Sequence, residues 1–167
     1  IYTGEDTLSL HDALPIFINR VFYWLSEQGI AVPQPRFSKR SKAKINDVET
    51  LFVSWEQSIS IPIHSALFTR TNLPEFSVGL RNREDFVFWV DLVATRQTLL
   101  IEDSFVGLYR VHSQQMTKES RSHQKEHLDR AISICESKHG NLLSPEAVNR
   151  KRRYADWAFR DSAPKLY

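Results

Sequence analysis

Arg83-Glu84-Asp85-Phe86-Val87-Phe88-Trp89 is the stretch on which the fold turns, with Leu108-Tyr109-Arg110-Val111-His112 as its downstream counterpart. An acidic pair opens an otherwise apolar helix, and a basic pair closes the strand after it. Carboxylates in a first helical turn are favoured by the macrodipole, by about 0.3–1 kcal/mol each. Most acidic helix starts do no more than that. Here the spacing lets an acid, a guanidinium and an imidazole converge on a single cleft. The dipole is also expected to keep the carboxylate ionised.

Working outward, Arg83 to Ala94 is expected to be helical. Phe86, Trp89, Val90 and Val93 form its stripe, and Val87 and Phe88 widen it until the helix must be covered almost all round. Thr98 to Tyr109 returns as strand and turn. Upstream, Leu51 to Trp55 and Ile59 to Arg70 read as strands, the second apolar on both parities and therefore covered on both faces. Thr71 to Asn82 is a loop holding Pro74 and Gly79. Phe17 to Gln28 reads as a short amphipathic helix stopped by Gly29. Ala31 to Pro35 is extended because of its prolines, and Arg36 to Lys44 is a basic loop. Downstream, Gln114 to His139 is a long polar helix with Leu128, Ile132 and Cys135 at helical spacing. Ser144-Pro145-Glu146 is a helix start, with a hydroxyl cap followed by proline at a position that needs no N–H. That helix continues through Arg150 to Phe159, with Tyr154, Trp157 and Ala158 on one face. The expected fold class is α/β, a sheet fragment followed by a C-terminal helical hairpin.

The chain has 167 residues, 41% apolar and 25% charged, and its net charge is +2. These are globular values, and the near-balance of charge gives no strong pull toward nucleic acid or membrane. Cys135 is the one cysteine, so no internal disulfide can form. No apolar run approaches membrane-spanning length. Thr7 to Ile16 matches the translation of a short-read sequencing adapter (ACT-CTT-TCC-CTA-CAC-GAC-GCT-CTT-CCG-ATC). Residues 1–16 are therefore expected to be an artefact outside the fold, with true N-terminal sequence missing before residue 17.

Ser65-Ala66-Leu67-Phe68-Thr69-Arg70, Phe76-Ser77-Val78-Gly79-Leu80, Glu84-Asp85-Phe86-Val87-Phe88-Trp89-Val90-Asp91-Leu92 and Tyr109-Arg110-Val111-His112 follow one another along the chain. This ordered series resembles glycosyltransferase family 2, the inverting enzymes of GT-A fold. The resemblance spans Ile59 to about Thr117. It implies an incomplete GT-A domain over 17–117 and a helical extension over 118–167. It implies transfer of a sugar from a nucleotide-diphosphate donor to a saccharide, lipid-linked or protein acceptor, with inversion. Asp85 matches the catalytic base and Glu84 the acid beside it. Arg110, Gly79, Arg83 and His64 match donor-contacting positions, and His112 a candidate metal ligand. A divalent cation, Mg or Mn, is implied for the full-length enzyme. The family's Asp-x-Asp and first βα unit do not occur in this sequence, and Asp47-Val48-Glu49 is only a near approach. This chain alone is therefore expected to bind nucleotide sugar poorly and to turn nothing over. The expected setting is cytoplasmic, with peripheral membrane contact open and no nucleic acid.

Two rival features stand beside that resemblance. His123-Gln124-Lys125-Glu126-His127 fits the inverted zinc-protease pattern His-x-x-Glu-His, but its helix looks polar and no third ligand is evident. Arg150-Lys151-Arg152-Arg153 interleaves with Tyr154 and Trp157, a pairing that nucleic acid or a partner can exploit. A solvated face is the simpler account of it.

Overall fold

The computed structural model describes residues 16–25, 29, 31–35, 45–68, 73–95, 99–110 and 120–160. It mixes helices and strands. Strand β1 (Ile16–Leu25) is followed by β2 (Ala31–Pro35), helix α1 (Val48–Ser54), a 3-10 turn (Ile63–Ser65) and the short β3 (Ala66–Leu67). Helix α2 (Glu84–Ala94), strand β4 (Leu99–Arg110) and helices α3 (Arg121–His139) and α4 (Pro145–Ala158) complete the order.

β1 is the hub of the sheet. β4 runs parallel to it, from Ile16↔Leu99 to Leu25↔Arg110. β3 and β2 are both antiparallel to β1, β3 at Phe17 and Ile18, and β2 from Val21 to Leu25. A strand has two hydrogen-bonding edges, and β4 takes one for its full length. β2 and β3 therefore share the other edge end to end. The parallel pair requires a long crossover, and this one carries α1 and α2.

Three sequence expectations are corrected here. The segment from Phe17 is a strand and not a helix. Its Ile, Val, Phe, Tyr and Trp residues are the β-branched and aromatic types that suit a pleated surface. Leu51 to Trp55 lies in α1 and its C-cap and is not a strand. Asp47 caps that helix by accepting from the Thr50 amide at 2.7 Å, a start signal that outweighs the short apolar run. Ile59 to Arg70 is not one long strand. Ser65 folds back on Pro62, its amide donating to the carbonyl at 2.9 Å and its hydroxyl at 2.6 Å. That turn leaves only the two residues of β3.

The helices touch in a ring: α1 on α2, α2 on α3, α3 on α4, and α4 on α1. Phe86 to Val93 are all buried, so α2 is enclosed along its length. Phe52, Trp55 and Phe86 pack ring to ring, with centroids 5.6–5.7 Å apart. The Trp89 indole donates to the Ile61 carbonyl at 2.8 Å, so its one polar atom is satisfied. α3 and α4 form an antiparallel hairpin. Arg121 reaches the Arg160 carbonyl at 2.6 Å, Lys125 reaches Asp156 at 3.0 Å, and Arg152 reaches Glu136 at 2.6 Å. Ser120 and Ser144 cap the two helices, and Pro145 opens the second.

Helix layer and sheet are joined at the first residue of β4. The Asn46 side chain accepts from the Leu99 amide at 2.7 Å and donates to the Leu99 carbonyl at 3.2 Å. One side-chain amide thus plays the part of a neighbouring strand for a single residue.

Candidate functional site around the start of α2

α2 begins without a side-chain cap. Arg83 occupies the N-cap position in the left-handed region, φ 71°, which is costly for a residue with a Cβ. The Phe86 amide is served from within the first turn, donating to the Asp85 carboxylate at 2.8 Å. Glu84 and Asp85 are both half-buried. Burial pushes the Asp85 carboxyl up to about 6, and the Glu84 charge adds to the rise; the Phe86 hydrogen bond and Arg83 pull it partly back. Loss of water thus outweighs the helix terminus and makes Asp85 a weaker acid than an ordinary aspartate, though one still mostly ionised at neutral pH.

Arg83 is turned inward, and only 6% of its side chain is exposed. Its Nη1 donates to the Asn82 side chain at 2.5 Å. Its Nε lies 2.5 Å from the Glu56 carboxylate, although the N–H does not point along a hydrogen bond. The guanidinium also stands over the Phe159 ring at 5.7 Å. Glu56 itself has φ 65°. It sits in the tight turn after α1, where its amide donates to the Ile59 carbonyl at 2.7 Å.

Lys151 completes the cluster. It is fully buried, donates to the Trp55 carbonyl, and lies 5.1 Å from the Phe86 ring centre and 5.0 Å from that of Tyr154. Burial pulls its ammonium down to about 8, against the opposing charge of Glu56. Sequence reasoning missed Glu56 and Lys151. Glu56 lies in a turn with no glycine to announce it. Lys151 sits inside a basic run whose other members do face outward.

Gly79 has φ 87°, and a Cβ there would meet the Arg130 guanidinium at 3.1 Å. Its bare backbone is therefore used by α3. His112 lies outside the described residues, and so do the side chains of His64 and Arg110. In backbone terms His64 is in the 3-10 turn, and Arg110 ends β4 opposite Leu25. Arg83, Glu84 and Asp85 stand together.

Among the described residues no group of three or more His, Cys, Asp or Glu side chains is placed to hold a metal ion. His123 and Glu126 are exposed on α3. Of the basic run on α4, Lys151 is internal, Arg152 pairs with Glu136 at 2.6 Å, and Arg153 pairs with Glu146 at 2.8 Å. Among the described residues no helix is long and apolar enough to cross a membrane.

No family profile, no curated protein and no solved structure matches this chain.

Proposed function

We propose that the chain carries the acid-pair half of an inverting glycosyltransferase of GT-A type, resembling family 2. The observation that carries this reading is Asp85, a half-buried carboxylate in the first turn of α2 with a pKa of about 6. At neutral pH such a group is ionised by about ten to one, yet is far more basic than an ordinary aspartate, which suits a general base. Its placement at the start of an enclosed helix supports the reading, as do the four ordered features from Ser65 to His112.

In this reading Asp85 accepts the proton of the acceptor hydroxyl. The hydroxyl oxygen forms its bond to the anomeric carbon as the bond to the nucleoside diphosphate breaks, and the configuration inverts. Glu84 raises the basicity of Asp85 through its charge and faces the acceptor. Arg83, tied to Glu56 and Asn82, is a positioning residue that limits how far the Asp85 pKa rises. By the resemblance, Arg110, Gly79 and His64 would contact the donor, and His112 would be a metal ligand. The full enzyme's divalent cation, Mg or Mn, would offset diphosphate charge, and no step above depends on it.

The test uses the product of the genomic reading frame that encodes residues 17–167. It is incubated with a panel of nucleotide-diphospho sugars, a panel of saccharide and lipid-linked acceptors, and Mn²⁺. Release of nucleoside diphosphate, with a product of inverted anomeric configuration, is expected. Asp85→Asn should lower the rate by a factor on the order of 10²–10⁴. A retained configuration, or an Asp85→Asn variant as fast as the parent, contradicts the proposal.

A further inference from the structure

A cleft of about 460 Å³ opens between α4 and the turn after α1, lined by Glu56, Gln57, Arg150, Arg153, Tyr154 and Trp157. Its size is that of a small-molecule site. Positions 150, 153, 154 and 157 recur at helical spacing, so two guanidiniums and two aromatic rings share one stripe of α4. The Tyr154 and Trp157 ring centres are 6.1 Å apart and tilted by 40°. They make a shallow curved wall, not a parallel slot. Trp157 keeps 42% of its surface exposed. The Tyr154 hydroxyl is spent on the Glu56 carbonyl at 3.3 Å, which fixes that ring.

The charges around this wall are unequal. Glu56 is engaged by Arg83, so its carboxylate is already countered. Arg153 is countered by Glu146. Arg150 is exposed and makes no hydrogen bond or ion pair with another described residue. Gln57 donates from Nε2 to the Val53 carbonyl at 2.8 Å, which holds its amide in place and leaves the side-chain oxygen as an acceptor. The site therefore offers an apolar wall, an acceptor for hydroxyl donors and one unspent cation.

We propose that this cleft binds an anionic saccharide. The C–H face of the sugar lies on Trp157 and Tyr154, its hydroxyls donate to Gln57, and its phosphate or carboxylate is held by Arg150 through charge-assisted hydrogen bonds. The same chemistry is offered by a free sugar phosphate and by an acidic unit of a longer glycan. A nucleobase is served less well, because the rings do not form a flat slot. The assignment is separate from the acid pair, since binding is read without turnover.

The experiment is calorimetric titration of the intact chain with glucose 1-phosphate, glucuronate, an oligo-uronate, neutral glucose and uridine monophosphate. Saturable binding of the anionic sugars is expected, weakened about tenfold by Trp157→Ala and by Arg150→Glu, with thermal melts confirming that both exposed-site variants fold. Tighter binding of the oligo-uronate than of glucuronate identifies a glycan chain as the source, and equal binding identifies the free sugar acid or phosphate. The proposal is overturned by any of three results. These are absence of saturation at millimolar anionic sugar, equal binding of neutral glucose or of both variants, or uridine monophosphate binding more tightly than every sugar.

Discussion

Glu56 and Arg83 are the two non-glycine residues with left-handed backbone among those described, and they meet each other, carboxylate to guanidinium, at 2.5 Å. Each strained position thus presents a charged side chain to the other beneath the start of α2. Two of the buried polar atoms left without a hydrogen bond, Glu56 Oε2 and Arg83 Nε, belong to this pair. Strain of this kind is of order 1–3 kcal/mol per residue and persists only where the surroundings enforce it.

Truncating one partner should therefore cost more than removing both. Arg83→Ala leaves the Glu56 carboxylate buried and unpaired, and a loss of about 3–5 kcal/mol is expected. The double variant Glu56→Gln/Arg83→Ala should recover part of it. Urea unfolding of the four members of the cycle measures the coupling. Strict additivity would show that the pair does not act as a unit.

Asp85 gives a pH signature with a definite sign. Its carboxyl is raised from 3.8 to about 6 in the folded chain, so between those values the folded state binds more protons than the unfolded one. Stability contributed by this group is present below about pH 4 and is lost as pH rises to 6, by up to about 3 kcal/mol. Asp85→Asn should consequently raise the melting temperature more at pH 7 than at pH 4. Equal shifts at both values would show that Asp85 is not held in its protonated form by burial.

Lys151 runs the opposite way. Its ammonium is lowered from 10.5 to about 8, so the folded state binds fewer protons between those values and this group's contribution to stability grows as pH rises from 8 toward 10.5. Lys151→Met keeps the aliphatic packing and removes that slope. Denaturation at pH 7.5 and pH 10 on parent and variant is the check, and a parent with no extra stability gain over the variant contradicts the assignment.

Asn46 should matter more to β4 than its size suggests. Asn46→Ala removes both hydrogen bonds to Leu99 and should cost about 1–3 kcal/mol, because buried partners are left unsatisfied. Hydrogen exchange at the Leu99 amide should quicken. Unchanged protection there would show that the sheet edge is held by other contacts.

α2, β4, α3 and α4 were legible in the sequence because each carries strong local signals. α2 has acids at its start and an unbroken apolar run, and Ser144-Pro145 is a start that few other structures tolerate. β1 and α1 were not, for one shared reason. Both are short apolar segments in which period alone cannot separate helix from strand, and the deciding features were β-branched and aromatic content in β1 and a single Asp47 cap in α1. At the site, the acid pair was visible as sequence. The inward turn of Arg83, the Glu56 carboxylate and the buried Lys151 were not, because each depends on contacts between residues far apart in the chain. The Glu56 carboxylate meets Arg83 across the helix layer, and Lys151 meets the Trp55 carbonyl from α4. No local pattern encodes such meetings.

The role proposed for Asp85 is tested most directly by the pH–rate profile of the proposed sugar transfer, measured on the product of the genomic reading frame that encodes residues 17–167 and on its Asp85→Asn variant. For the parent, kcat/KM should rise with pH through an apparent pKa of about 6, and the variant should lose both the rise and most of the rate. A variant that keeps the parent's rate and its pH dependence would contradict the assignment of Asp85 as the proton acceptor.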